Sequence, residues 1–518
     1  MSDQSSRRAR GWIVLAPVAA FACGCAVGPD YRPPAIAHPD KFGAVASLAS
    51  VAGKDAVDPA RWWKAMNDTV LDALVEDAVQ SNPDAEVALL RLEQARAVEA
   101  IVTGESLPEL EASGGGGRGT GSDLTRGRAP NALRAANTGT GFAQVNYVAG
   151  FDAGWALDLF GYYRRSIEAA KADAQAAAAA RDAVTIAVVS DVARAYVDLR
   201  GLQLQLEVLR RSVDTADRRQ ALVRQRFDRG LTNALDVTLA RRESATLRAA
   251  IAPLTARIAA ARDAIATLTG RFPDQLPETL NRPALPTRMP EAVAPGIPVD
   301  VLRRRPDVRE AERTLAAATA RVGVAAANLF PRVTLTGGIG YEGQGLGVTP
   351  AHGRSVWSFG PGAYWSLLDF GVLDGLVDIA DLESRIRLAR YRQVVLRSVA
   401  EVDTAIAAYS ASLDRLLELD AALAASREAV ELATQRYDRG LTDFLNVLDA
   451  ERQEYALQGE YAAARQTSAE QFVALYRALG GGWEDHQAVP PARAPQPAVV
   501  AAFRRLLGRG DPGESGGH

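Results

Sequence analysis

The sequence RFDRGLT at residues 226–232 returns as RYDRGLT at residues 436–442, so the chain contains an internal repeat. The two copies are offset by 210 residues (436 − 226). The same offset relates WALDLFG at 155–161 to WSLLDFG at 365–371, so the residues between these matches correspond without a gap. Self-similarity at a fixed offset indicates a duplicated structural unit.

A second offset locates an insertion in the first copy. The tripeptide NPD at 82–84 matches RPD at 305–307, an offset of 223 residues (305 − 82). The first copy therefore carries 13 extra residues (223 − 210) between Pro108 and Trp155. We place these residues in a surface loop, where changes in length are best tolerated.

These matches define the domain organisation. We assign the first structural repeat to 65–270 and the second to 301–483. The seven prolines of residues 271–300 cannot continue a helix and predict an extended linker between the repeats.

Each repeat contains one very long predicted helix, at 162–229 and at 372–439, interrupted only by Gly201 and Gly375. At 1.5 Å per residue each helix would be about 100 Å long. In the second copy apolar residues recur every seven positions over 388–437, which favours side-by-side packing of helices.

Glycines end both long helices, and shorter helices run back beside them to form the rest of a helical wall of uniform height. Gly230 and Gly440 stand where a left-handed residue commonly ends a helix. The returning helices, predicted at 231–269 and 441–479, are too short to match their partners. The helix before each strand pair supplies the missing length, so two short helices laid end to end equal one long helix. These preceding helices are predicted at 84–107 and 307–330.

Three segments alternate apolar and polar residues as β-strands do. Apolar residues fill most odd positions of 145–159, 333–341 and 357–367, although Pro361 is unfavourable inside a strand. The pattern suits tilted membrane strands with lipid on one side, and it also suits the half-buried strands of a soluble sandwich. Two strands per repeat give four per chain, too few to close a membrane barrel. The membrane interpretation therefore requires an oligomer.

The first 25 residues resemble an export signal for a lipoprotein. Basic residues within 7–10 precede an apolar run at 12–22, and small residues precede Cys25. We assign 1–24 to a signal peptide and predict that Cys25 is lipidated. Ala22 replaces the Leu usual in such a site.

The remaining terminal residues carry fewer signals. Cys23 is the alternative acceptor, disfavoured because bulky Phe21 lies two residues before it. The chain has no third cysteine, so no disulfide framework holds the mature fold. We predict an extended N-terminal segment at 25–64 and a flexible, proline-containing tail at 484–518.

Composition argues against several functional classes. A net charge of −3 and a pI near 6.0 give no basic face for nucleic acid. The four histidines lack the spacing of a metal site, so we expect no metal and no cofactor. GIGYEG at 338–343 fits a dinucleotide motif without the helix that should follow, and GGGGR at 114–118 lacks the ending of a P-loop. We expect no catalytic residues and no enzyme.

Three sequence signatures together resemble a known family. They are GCAVGPDYRPP at 24–34, GIPVDVLRRRPDV at 296–308 and the two RxDRGLT tips. The chain is similar to the TolC-like outer-membrane factors of tripartite RND-type efflux pumps. The resemblance implies an α+β membrane protein in the outer membrane of a Gram-negative bacterium. It also implies a homotrimer with a twelve-stranded β-barrel, a periplasmic α-helical barrel, a periplasmic adaptor and an inner-membrane RND pump as partners.

Two candidate sites follow from the hairpin tips. The segment LNVLDAER at 445–452 resembles the constriction segment of the family, and Leu445, Asp449 and Arg452 share one helix face. We predict that this face forms a periplasmic gate, with Arg452 close enough to offset the charge of Asp449. The tips lie farthest from the strands, and we expect them to dock the adaptor. The docking residues would be Arg226, Asp228, Arg229, Gly230, Arg436, Asp438, Arg439 and Gly440.

Two other functions share these sequence features. A duct for secreted polypeptides would have the same architecture, and a coiled-coil envelope lipoprotein would have the helices and the lipid but no pore. We predict a passive exit duct for small molecules, because two-sided strands fit a pore.

Overall fold

The computed structural model is mostly helical and describes residues 26–35, 42–43, 57–119, 144–281, 298–345 and 352–484. The predicted signal peptide, Cys25 and the predicted tail beyond Glu484 lie outside the described residues. The described α-helices and β-strands are, in chain order, α1 (Thr69–Ser81), α2 (Pro83–Glu105), β1 (Glu109–Gly119), β2 (Gln144–Leu157), α3 (Tyr162–Asp228), α4 (Ala234–Ala249), α5 (Ile251–Leu268), α6 (Pro298–Arg304), α7 (Pro306–Ala327), β3 (Arg332–Gly345), β4 (His352–Tyr364), α8 (Val372–Asp438) and α9 (Phe444–Leu479).

The two predicted long helices are confirmed as α3 and α8, each of 67 residues. Both end in the same hydrogen-bonded turn. Gly230 has φ 71°, and the Leu231 amide donates to the Arg226 carbonyl at 2.9 Å. Gly440 has φ 72°, and the equivalent amide of Leu441 makes the same bond at 2.9 Å. A left-handed glycine therefore reverses the chain at each tip.

The shorter helices meet end to end beside the long ones, and side chains join them. Asn82, before α2, donates from its amide to the Leu268 carbonyl at the end of α5, at 2.8 Å. Arg305, before α7, donates to the Ala478 carbonyl near the end of α9, also at 2.8 Å. Both bonds satisfy carbonyls that a helix end leaves unpaired.

One predicted helix is wrong. The returning segment of the first repeat, expected as a single helix at 231–269, is divided into α4 and α5 at Ala250. Pro253 explains the break, because it lacks the N–H that would bond to Ala249 and its ring crowds that carbonyl.

The four strands form one antiparallel sheet in the order β1-β2-β3-β4. Phe151, Ile339 and Trp357 lie in one row across β2, β3 and β4, and all three are exposed. The neighbouring row on the opposite face contains Asp152, Gly338 and Ser358. The predicted alternation is therefore confirmed, and the glycine-rich motifs at 114–118 and 338–343 lie in strands.

The outer strands β1 and β4 have one strand neighbour each among the described residues. Pro361 lies in β4 opposite Leu335, and an edge strand is where a proline disturbs a sheet least.

Equivalent tryptophans join the sheet to the helices. The indole N–H of Trp155 donates to the Ser106 carbonyl at 3.1 Å. The indole of Trp365 donates to the Leu329 carbonyl at 3.0 Å, at the matching place of the second repeat. The repeat is therefore preserved in the bonds that set the sheet on the helical wall.

The largest described core surrounds the middle of α3, and it corrects two predictions. Within the segment expected to be extended at 25–64, residues Pro59–Met66 form a 3-10 helix capped by Asp58. Its Trp62 is fully buried and stacks on Tyr476 with ring centroids 5.7 Å apart. The 271–300 linker is likewise not simply extended. Its described part contains two 3-10 turns, with Leu276 and Leu280 buried between and within them. Burial of apolar side chains folds both segments onto the wall.

Candidate functional site

The two hairpin tips are packed together by a small apolar core. This tip core joins the ends of α3 and α8 to the beginnings of α4 and α9, and the Val223 and Val447 side chains are fully buried in it. Its buried members are Val223, Ala240, Tyr437, Phe444, Val447 and Leu448. The tips of the two repeats therefore form one unit.

A cation reinforces the contact between the tips. The guanidinium of Arg226 lies 4.4 Å from the centroid of the Tyr437 ring and 3.1 Å from a carboxylate oxygen of Asp438. Asp228 pairs with Arg224 one helical turn earlier, at 3.1 Å. Three of the predicted docking residues thus already have partners within the chain.

The other predicted docking residues differ in availability. Arg229, Arg436 and Arg439 are exposed, and the two glycines terminate helices. Sequence reasoning missed the exposed leucines at the tips, Leu231 and Leu441, which are 65% and 64% exposed. Each tip therefore presents arginine beside an uncovered apolar side chain.

The predicted gate face is exposed on α9. Leu445 is 60% exposed and Asp449 is also exposed. The adjacent face of α9 carries Phe444, Val447, Leu448 and Glu451, all buried. The packing of α9 therefore leaves the predicted gate residues uncovered in this chain.

The predicted pairing of Arg452 with Asp449 is wrong. Arg452 instead pairs with Glu243 of α4, at 3.2 Å. Among the described residues Asp449 has no ion-pair partner. The Arg452 side chain extends toward α4 because the carboxylate of Glu243, itself nearly buried, needs a counter-charge.

A buried ion pair that the sequence did not reveal lies behind the gate face. Arg219 of α3 contacts Glu451 of α9 at 2.7 Å, and the Glu451 side chain is 4% exposed. Burial raises the pKa of Glu451, because the loss of hydration outweighs the attraction of Arg219. This pair connects α9, which carries the predicted gate residues, to the long helix of the other repeat.

The first repeat differs from the second at the gate positions. Leu239 takes the place of Asp449 (449 − 210) and packs against the tip core. Leu235, the counterpart of Leu445, is 64% exposed. Only the second repeat therefore presents an exposed acid beside its exposed leucine.

Two kinds of feature are absent from the described residues. These residues contain no group of three His, Cys, Asp or Glu side chains placed to hold a metal ion. In the same part of the chain, no helix combines the length and the hydropathy needed to cross a membrane.

Comparisons with known proteins agree with this geometry. The family profile "Outer membrane efflux protein" matches residues 74–271 and 297–481. Nodulation protein T of Rhizobium leguminosarum bv. trifolii is 32% identical over 89% of this chain and 95% of its own length. The toluene efflux pump outer membrane protein TtgF of Pseudomonas putida is 31% identical over 90% of this chain and 96% of its own.

A solved structure shows the same fold. The outer-membrane channel OprN has a TM-score of 0.79 and 35% identity, and the match covers 89% of this chain and all of OprN. A sheet with one apolar face, continued by helices of about 100 Å, defines a subunit of an outer-membrane channel. The chain belongs to the outer membrane efflux protein family, whose members are passive channels and not enzymes.

We expect Arg219→Met to destabilise the fold by about 3–5 kcal/mol near neutral pH, because it leaves a buried carboxylate without a partner. A folded-state pKa raised above the ordinary 4.5 means that protonation of Glu451 favours the fold. The loss of stability in Arg219→Met should therefore shrink as the pH falls from neutral toward 4.5. The double variant Arg219→Met/Glu451→Gln should recover much of the lost stability. Thermal unfolding followed by circular dichroism at several pH values measures this.

The neighbouring Arg218→Met is the matched control, because Arg218 pairs with Asp214 on an exposed surface. Such pairs contribute less than about 1 kcal/mol. Equal losses in the two variants would contradict the role of the buried pair.

Proposed function

We propose that three copies of this chain close a twelve-stranded barrel in the outer membrane and continue it as a helical exit duct. The observation that carries the proposal is the four-stranded sheet, which has an apolar face and two open edges. Open edges are not tolerated in lipid, so β4 of one copy must pair with β1 of the next. Four strands from each of three copies reach a size at which membrane barrels close.

The helices support the same assembly. Along α2 and α8, apolar side chains that are 44–65% exposed recur at helical spacing. We infer that α2 of one copy packs against α8 of the next and continues the wall below the strands. The stripes consist of Val87, Leu90, Val98 and Ile101 on α2, and of Val372, Leu376, Ile379, Leu382 and Ile386 on α8.

The duct serves a tripartite system with a periplasmic adaptor and an inner-membrane RND pump. Family membership supports this assignment, as does the similarity to TtgF, which is an outer membrane protein of a toluene efflux pump. Cargo would pass through without chemistry.

The gate is formed by the exposed face of α9 from three copies. Around a symmetry axis, Leu445 would form an apolar ring that excludes water, and Asp449 would form a ring of carboxylates that favours cations. Arg452 has a different role from the one the sequence predicts. By pairing with Glu243 it holds α9 against α4 and fixes the direction in which the other two side chains point.

We predict that Leu445→Ala and Asp449→Ala each raise single-channel conductance in planar bilayers several-fold, because the smaller alanine side chain widens the constriction at either ring. Arg452→Ala should also raise conductance, by releasing α9 from Glu243. Cells carrying these variants should take up antibiotics faster.

Leu235→Ala is the matched control for the gate, since this exposed leucine occupies the equivalent place in the first repeat. We expect its conductance to equal that of the wild type. Small, unchanged conductance in all three gate variants, with trimers intact, would refute the gate. An assembled trimer whose wild type and variants never conduct would refute the duct.

The hairpin tips dock the adaptor. Arg229 and Arg439 are exposed beside the uncovered Leu231 and Leu441, so each tip offers charge together with apolar surface. Arg226 instead maintains the tip, through Tyr437 and Asp438.

We predict that Arg229→Glu and Arg439→Glu together abolish crosslinking to the adaptor while thermal stability stays unchanged, because the two side chains face solvent. Arg226→Ala should lower thermal stability as well, since it removes the contact between the tips. Arg218→Glu, an exposed change on α3 away from the tip, is the control. Full crosslinking in the charge-reversal variant would count against docking.

Cys25 carries the lipid that anchors the mature N-terminus. The order of basic, apolar and small residues before it supports this assignment. We predict an intact mass that corresponds to a chain beginning at an acylated Cys25. Cys23→Ser should leave this mass unchanged, and Cys25→Ser should remove the acyl groups. A mature chain that begins elsewhere would disprove the anchor.

A further inference from the structure

The described residues next to Cys25 lie on the junction between the sheet and the long helix of the first repeat. We call residues 26–33 the N-terminal latch. The Val27 amide donates to the Phe160 carbonyl at 3.1 Å, in the turn between β2 and α3. Gly161 in the same turn has φ 89°, and a Cβ there would lie 2.8 Å from the Cα of Ala26. The latch thus contacts the junction backbone to backbone.

Arg165, one turn into α3, binds the latch with most of its donors. Its side chain is 6% exposed. The guanidinium donates to the carbonyls of Val27 at 3.2 Å and Gly28 at 3.3 Å, and to the Asp30 carboxylate at 2.7 Å. The remaining nitrogen donates to Glu168 at 2.8 Å. A planar fork of donors satisfies such a set of acceptors, and a single ammonium does not.

Two glycines allow the latch to lie this close. Gly28 has φ 88°, and a Cβ at that position would lie 2.4 Å from the Cα of Gly323 in α7. A Cβ on Gly323 would lie 2.8 Å from the Cγ of Arg165. Where the latch, α3 and α7 meet, positions 28 and 323 therefore have room for the hydrogen of a glycine but not for a side chain.

The far end of the latch is held by Tyr31. Its hydroxyl donates to Glu312 of α7 at 3.0 Å, and Arg313 lies 5.8 Å from its ring centroid. Burial and the Glu312 carboxylate raise the pKa of Tyr31, so the phenol stays protonated as the donor.

The duplication provides an internal comparison. In the second repeat the counterpart of Arg165 is Gly375 (165 + 210), and in the first repeat the counterpart of Gly323 is Ala100 (323 − 223). A Cβ on Gly375 would meet nothing within 4 Å. The start of the long helix therefore does not require an arginine at this position. Arg165 and Gly323 occur together at the junction that the latch covers.

We propose that Arg165, Gly161 and Gly323 form a seat that fixes the latch, so that the lipid on Cys25 enters the bilayer beside the base of the barrel. The proposal rests on the acylation of Cys25 proposed above. Acyl chains alone bind a membrane weakly and reversibly. With Ala26 held on the junction, the lipid anchor and the strands reach the same patch of membrane. Insertion of one therefore raises the effective concentration of the other at that patch.

The test uses full-length acylated protein in lipid nanodiscs with a nitroxide on Arg32→Cys, an exposed latch position. In the parent protein the label should be strongly immobilised. Arg165→Gln should shorten its rotational correlation time several-fold, while trimer thermal stability changes little. Arg165→Lys should restore only part of the immobilisation. Gly28→Ala should release the label in the same way. Because this change lies in the latch and leaves the sequence of α3 intact, release in both variants would not be explained by a folding defect of α3.

Arg321→Gln is the matched control, because it removes the ion pair between α7 and Asp173 of α3 without touching the latch. Its label should stay immobilised. A label equally immobile in Arg165→Gln and Gly28→Ala would overturn the seat. The intact mass of the same samples tests acylation separately: an immobile latch on an unacylated chain would overturn its role in anchoring.

Discussion

An unpaired strand edge has no place in lipid, and this constraint governs the architecture of the chain. The four-stranded sheet has an apolar face and leaves β1 and β4 as edges. Closure by further copies satisfies the backbone of both edges. In the assembly proposed above, the helices that continue the strands form a closed wall as well, and neighbouring copies would cover the exposed apolar stripes on α2 and α8.

A closed wall needs uniform height, and the chain reaches it by joining short helices end to end. Each joint leaves carbonyls unpaired at a helix terminus. Asn82 and Arg305 satisfy them with side chains from the residue before the next helix. The buried aromatic core around Trp62 and Tyr476 packs near the second joint. The linker and the N-terminal segment therefore pack against the helices close to this joint.

Duplication lets one repeat keep a structural role while the other acquires a specific one. Leu239 packs in the tip core of the first repeat, whereas Asp449 stands exposed in the second. Arg165 holds the latch, whereas its counterpart Gly375 lies in open space. The similarities between the copies therefore mark the fold, and the differences between them include the positions for which we propose specific roles.

The sequence by itself determined the long helices, the alternating strands and the glycine turns at the tips, because these depend on local periodicity and on backbone conformations that few residues adopt. The break at Ala250 was also readable from Pro253. Tertiary structure alone decided the partner of Arg452, the burial of Glu451 against Arg219 and the seat of the latch on Arg165. These contacts join residues from different helices or distant segments. Which charges meet is decided by how the helices pack, since a charge withdrawn from water takes whichever partner the packing brings within reach.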